Sequence, residues 1–215
     1  MAADGEREPK VSRAAALRLS QYLRAIAALA DGDEPISSES LAAEAGGSAA
    51  QVRRDLAALG HLGQRGVGYE AASLAGAIRR TLGVDRRWRA VLVGVGDLAR
   101  ALVKYRGLAA HGFDLSALFD ASPKVIGTAV GGLRVEPMAS LKAHVVKHDV
   151  ELGIITVPAE AAQGVAEALV AAGVKGLMNF APVRLKVNRR VPVVAVDLAL
   201  QLQQLAFLVH FGDGG

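Results

Sequence analysis

Apolar residues recur at helical spacing along the first third of the chain. Leu17, Tyr22, Leu23, Ile26 and Leu29 follow Ser12, which is placed to cap an amphipathic helix, and Asp31-Gly32 stops the pattern. After Pro35, Ser37 or Ser38 can cap a second short helix through Leu41 to Ala45, ended by Gly46-Gly47. Ser48 and Gln51 then have the spacing of a capping box opening a third helix, about Ala49 to Leu59, whose buried face carries Val52, Leu56 and Leu59. Residues 60–69 read as two short strands around Gly63-Gln64-Arg65-Gly66, a hairpin with its cation at the tip. A fourth helix carries Leu74, Ile78 and Leu82 and ends at Gly83. Asp85 to Arg89, including Trp88 as a packing anchor, reads as an inter-domain joint.

Beyond it, short apolar runs alternate with helical stretches. Strands are expected at Val91–Val93, Phe113–Phe119, around Arg134-Val135, and at Leu152–Val157, Gly176–Asn179 and Val193–Val196. Helices are expected at Ala139–Lys147 and Ala159–Ala172. That order predicts a doubly wound parallel sheet. A last helix, Asp197 to about His210, is apolar on more than one side (Leu198, Leu202, Leu205, Phe207, Leu208) and calls for a partner surface, most simply a second copy of the chain. The expected class is therefore α/β, with a winged helix-turn-helix domain over 1–85, a Rossmann-like domain over 86–196 and a dimerisation helix over 197–215.

Composition narrows the chemistry. The 215 residues are 52% hydrophobic with few aromatics, enough for a sizeable core. There is no cysteine, which excludes disulfides, thiol switches and thiolate metal sites, so any redox response must come through a bound cofactor. Met1 to Lys10 is charged rather than signal-like and no apolar run is long enough to span a bilayer, so a cytoplasmic protein without membrane contact is expected. Net charge is only +4, of which +1 falls on residues 1–88 and +3 on the remainder, so nucleic-acid binding must be argued from individual arginines.

The third helix offers them. With Val52, Leu56 and Leu59 inward, Arg54 lies nearly opposite, flanked by Gln51 and Arg53. Solvated arginines on a small helical domain are the plain alternative. The adjoining hairpin favours a helix-turn-helix with a wing, in which Ser48, Gln51, Arg53, Arg54 and Gln64 face double-stranded DNA while Arg65 enters the neighbouring minor groove.

Val91 to Leu102 carries the second motif: an apolar strand, then Gly94, Val95, Gly96, Asp97, Leu98 and Ala99, the G-x-G-x-x-A form of a dinucleotide-binding turn. Gly94 allows the tight turn and Gly96 lets a pyrophosphate approach the helix amides. Asp120, 24 residues after Gly96, is placed for the adenosine ribose hydroxyls, and its charge repels a 2′-phosphate, favouring NADH and NAD over the phosphorylated cofactors. Thr156-Val157-Pro158 and Asn179-Phe180-Ala181-Pro182, each at a strand end, are expected to line the nicotinamide side. An ordinary glycine turn and strand-ending prolines are the bland alternatives. A dehydrogenase with an appended helical domain is a rival reading, and so is a coenzyme A-binding or other nucleotide-binding module. A dehydrogenase needs an acid or base at a strand end, whereas His111, His144, His148 and Lys175 are expected on the surface of helices or at their ends. No catalytic or metal residues are therefore assigned.

Taken together, Tyr22-Leu23-Arg24, Gln51-Val52-Arg53-Arg54-Asp55-Leu56, Arg65-Gly66-Val67-Gly68-Tyr69, Val93-Gly94-Val95-Gly96, Ala159 to Gln163, Asn179-Phe180-Ala181-Pro182 and Val196-Asp197-Leu198 resemble the Rex family of bacterial redox-sensing transcriptional repressors over roughly Ala14 to Phe211. The resemblance implies a homodimer with domain-swapped C-terminal helices, bound to operator DNA when NADH is scarce and released when the NADH/NAD+ ratio rises. It implies allosteric roles for Arg24 and Asp197, as a salt bridge in the DNA-competent arrangement, and for Tyr105 beside the cofactor. Arg54 stands where lysine is more usual, Ala57-Ala58 where Ser-Tyr is, and Asp97 and Ala99 where Asn and Gly are.

Overall fold

The computed structural model describes residues 11–30, 34–60, 63–64 and 67–212. The chain divides into two compact units, Met1–Arg86 and Arg87–Gly215.

In the first unit, α1 (Arg13–Leu29), α2 (Ser38–Ala45), α3 (Ala49–Ala57) and α4 (Ala71–Leu82) surround a core of Leu19, Tyr22, Ile26, Leu41, Val52, Leu56, Leu74 and Ile78. Ser12 caps α1 by accepting from the Ala15 amide, and Gly83, in the left-handed region, ends α4. The capping box falls on α2, between Ser37 and Ser40, not on α3. Ser48 does accept from the Gln51 amide, but the Gln51 side chain turns to Asp55 instead of returning to the cap. Strands β1 (Gly63–Gln64) and β2 (Gly68–Tyr69) pair antiparallel, and Ile36 bridges to Tyr69 as a third rung. Gly63 and Gln64 thus belong to the first strand of the wing and not to its turn. Arg65 and Gly66 lie outside the described residues.

The acid on α3 locks this unit. Asp55, 6% exposed, accepts from Arg18 Nε (2.6 Å) and Nη2 (2.7 Å), Tyr22 Oη (3.0 Å) and Gln51 Nε2 (2.9 Å). Arg18 thereby ties α1 to α3. Hydrogen bonding from Arg18, opposed by burial and helped by Tyr22 and Gln51, holds the Asp55 carboxyl below the usual carboxylate range. Burial and Asp55 together push the Tyr22 phenol up to about 12. With its folded pKa depressed, Asp55 stabilises fully above the ordinary carboxylate range near pH ~4, and that stability is lost as pH falls through the folded value. Thermal unfolding of the wild type should therefore weaken from about pH 5 downward, and Asp55→Asn should be less stable at pH 7 with a flatter acid limb. An acid limb as steep in the variant as in the wild type would count against this pair.

The second unit holds a seven-stranded sheet in the order β5-β6-β4-β3-β7-β8-β9. Its strands are β3 (Trp88–Val93), β4 (Phe113–Asp120), β5 (Ala129–Val130), β6 (Leu133–Pro137), β7 (Leu152–Ile155), β8 (Gly176–Asn179) and β9 (Val193–Ala195). Only β5 pairs antiparallel; the six parallel strands have the 3-2-1-4-5-6 order of a dinucleotide-binding sheet, reversing between β3 and β7. Trp88 opens β3 opposite Phe113, so it is part of the sheet and not of a joint. Residues 90–93 are buried on both faces: Val91 and Val93 pack with Leu169 of α8 (Ala159–Ala172), and Ala90 and Leu92 with Ala99 of α5 (Asp97–Lys104). Helix α6 (Gly107–Ala110) and β5 were not expected from the pattern, both being too short to show a period. A single 3-10 turn, Met138–Ser140, precedes α7 (Leu141–Lys147).

The last helix, α9 (Leu198–Phe211), starts from Asp197, whose Oδ1 accepts from the Leu200 amide at 3.1 Å. None of its residues is buried within the chain. At 100° per residue, Leu198, Leu202, Leu205 and Val209 form one stripe, while Leu200, Phe207 and Phe211 form another on the opposite side. No helix among the described residues is long and apolar enough to cross a membrane.

Candidate dinucleotide cleft and nucleic-acid interface

Where the sheet reverses, the ends of β3 and β7 open into a cleft of about 730 Å³. Gly94, Val95, Gly96, Leu98, Asp120, Thr156, Val157, Pro158, Phe180, Ala181 and Pro182 all line it. Gly94 and Pro182, 88 positions apart in the chain, meet here because parallel strands deliver their carboxyl ends to one edge.

The two glycines serve different ends. Gly94 has φ +95°, and a Cβ there would stand 2.5 Å from Val157 Cγ1 and 2.9 Å from the Thr156 carbonyl carbon and oxygen, so protein packing demands glycine. A Cβ on Gly96 would meet nothing within 4 Å. Its bareness keeps the cleft side of the turn open. No side chain caps α5, so its first-turn amides remain for an acceptor from outside. Thr156 braces the turn from β7, its Oγ1 donating to the Gly94 carbonyl at 2.7 Å with the Val93 carbonyl at 3.1 Å.

Asp120 closes the other side. Its Oδ2 accepts from the Val95 amide and its Oδ1 from the Ser122 amide, each at 2.7 Å. The acid therefore orders the glycine turn while each oxygen keeps a second lone pair for a hydroxyl donor. These features fit an adenine dinucleotide: open glycine and helix amides for the pyrophosphate, a carboxylate for the ribose, and apolar Val157, Pro158 and Phe180 beyond.

Four residues expected in the cleft do not line it. Ala99 is fully buried, where its small side chain lets α5 sit close on the sheet. Asp97 is exposed on the first turn of α5. Tyr105 ends α5, is 60% exposed and lies against Gly107. Asn179 is buried beneath the turn it holds: its Nδ2 donates to the Ala181 and Val183 carbonyls, and its Oδ1 accepts from the Ala181 amide. Conversely, Ala121, Ser122, Met138, Ala161 and Val165 line the cleft and were not anticipated, although Ser122 is signalled by its place two residues after the acid. His144 also departs from expectation. Its side chain is only 12% exposed, 3.1 Å from Ser116 Oγ and stacked on His148, and burial followed by that neighbour lowers its pKa.

On the first unit, α3 presents Arg53 and Arg54 to solvent. Arg53 pairs with Glu39 of α2 at 2.9 Å, both exposed, a contact of little energetic weight that a phosphate can replace. Arg54 Nη2 donates to Gln51 Oε1 at 2.9 Å. Ser48 stands at the helix start and Arg24 is exposed on α1; of Gln64 only the backbone is described.

A winged helix-turn-helix unit carrying outward arginines, followed by a dinucleotide-type Rossmann unit, defines a DNA-binding regulator controlled through a nucleotide cleft. The chain is 43% identical to the redox-sensing transcriptional repressor Rex of Syntrophomonas wolfei over 95% of its own length and 98% of that protein's. It belongs to the Rex family of redox-sensing transcriptional repressors. Two solved structures of the Rex-family repressor RSP agree: the complex with β-NAD+ and operator DNA (TM-score 0.88, 31% identity, 94% of each chain) and that with β-NADH (TM-score 0.84, 29% identity, 94% of this chain and 96% of that one). Family models for a putative DNA-binding protein N-terminus and a CoA binding domain match residues 10–57 and 85–183. The family is one of repressors, so the dehydrogenase reading falls away.

Proposed function

We propose that this chain is a cytoplasmic homodimeric repressor that binds palindromic operator DNA when NADH is low and leaves it when NADH rises. The cleft at the sheet reversal carries the reading, because Gly96, the uncapped start of α5 and Asp120 meet there in the one chain that also bears outward arginines on a helix-turn-helix. Gly94, Val95, Gly96 and Leu98 hold the pyrophosphate, Asp120 the ribose, and Thr156 to Pro158 with Phe180 to Pro182 the nicotinamide. NADH supplies a neutral nicotinamide ring and NAD+ a positively charged one. Val157, Pro158 and Phe180 offer that ring no counter-charge, and so favour the reduced form.

The working division is 1–85 for DNA, 86–196 for the cofactor and 197–215 for dimerisation. Two opposite apolar stripes on α9 need covering on both sides, as an exchanged helix between bodies of the partner would be. In the DNA-competent state Arg24 pairs with Asp197 at the base of that helix, and Tyr105, exposed in the single chain, meets the cofactor region of the dimer. Asp97 points to solvent and so does not block a pyrophosphate, while Asn179 serves by shaping the Phe180–Pro182 turn.

Differential binding to the two states is what drives release, about 1–3 kcal/mol for ordinary allosteric coupling. Fluorescence anisotropy on a palindromic duplex at fixed salt should show NADH weakening binding by roughly 5- to 150-fold and NAD+ by much less. Equal effects of the two cofactors would remove the sensing role.

A further inference from the structure

We infer that Gln51 is a positioning residue that holds Arg54 in the orientation in which Arg54 reads a base, and that the buried Asp55 carboxylate sets this orientation. The inference rests on the operator-binding reading above. It departs from the expectation that Gln51 itself touches DNA.

Both ends of the Gln51 amide are engaged within the unit, Nε2 on Asp55 at 2.9 Å and Oε1 on Arg54 at 2.9 Å. Only the NH2 group can face a carboxylate, so the carbonyl must point the other way, toward the guanidinium. Asp55 cannot turn aside, because Arg18 grips both of its oxygens and Tyr22 donates to one of them. Orientation thus passes from a buried acid through a directional amide to an exposed cation. A guanidinium read-out of guanine O6 and N7 depends on the plane of its fork, and a pre-set side chain loses less freedom on binding. Arg53 has a different neighbour: it leans on the exposed Glu39, which fixes no plane and suits a phosphate contact.

The test is a double-mutant cycle in the full-length protein, using the palindromic duplex that the wild type enriches from a random pool and its single-base-pair variants. Gln51→Met keeps length but removes the amide; Gln51→Ala is run beside it as the better helix former, with melting temperature as the folding check. Discrimination should fall by about tenfold or more at one base-pair position, the same position at which Arg54→Ala loses it. In the Arg54→Ala background, Gln51→Met should change discrimination by less than about twofold. The salt dependence of binding should not move with Gln51→Met, since no phosphate contact is lost. Multiplying effects, or loss at a different base pair, would make Gln51 a reader and overturn the inference while leaving operator binding intact. Failure of the wild type to enrich any duplex would overturn operator binding and this inference with it.

Discussion

Replacing Gly94 with alanine is expected to destabilise the protein by about 2–5 kcal/mol and to remove dinucleotide binding, whereas Gly96→Val should remove binding and leave the melting temperature near that of the wild type. At Gly94 the backbone sits at φ +95°, disfavoured for any side chain, and the added carbon would overlap Val157 and the Thr156 carbonyl. Relief requires β7 to back away from β3. That shift breaks the Thr156 hydroxyl contact with the turn and strains the amide that Asp120 holds. Since domains are stable by only about 5–15 kcal/mol in total, such a loss is visible in any thermal melt. At Gly96 an added Cβ meets nothing within 4 Å, so folding should be little affected, but the side chain would occupy the space through which the proposed phosphate reaches the α5 amides. Differential scanning fluorimetry with and without NADH separates the two variants. A Gly96→Val protein still stabilised by NADH would take the pyrophosphate away from this turn.

Leu205→Asp and Phe207→Asp are each expected to break the proposed dimer and abolish binding to a palindromic site. The two residues sit on opposite stripes of α9 and are 55% and 61% exposed in the single chain. A helix lying on one surface needs a single apolar stripe, and two opposed ones are what the proposed enclosed helix requires. Each substitution enters a two-fold dimer twice; at about 2 kcal/mol per interface anchor, the sum of about 4 kcal/mol weakens dimerisation roughly a thousandfold. Sedimentation at micromolar protein should show the mass halved, with DNA affinity reduced to that of one half-site. If only Leu205→Asp dissociates the protein, α9 is covered on one side alone and the exchanged-helix arrangement is wrong.

Much of the second unit was legible because parallel strands buried on both faces read as unbroken apolar runs, and because Gly94, Gly96 and Asp120 carry a turn chemistry with few alternatives. Short pieces were not: β5 has two residues and α6 four, below the length at which a period exists. The error at Gln51 has a different cause. S-x-x-Q describes a capping box wherever glutamine lacks a better partner, and a carboxylate four residues along the helix was that better partner. His144 looked like a surface residue because its helix is short, yet Phe119 packs edge-on to its ring and Ser116 reaches its Nε2.

Elements, their order and the nucleotide turn follow from the chain itself, since hydrophobic periodicity, caps and glycine conformations are local and need only neighbouring residues to act. Which side chains work together was decided in three dimensions. Asp55 meets Arg18 from 37 positions away, Thr156 braces Gly94 from 62, and Asp120 ties Val95 from 25; such pairings exist only once strands and helices have stacked and excluded water. The sequence marked the acid, the hydroxyl and the glycine as residues of interest, and packing alone determined what each of them holds.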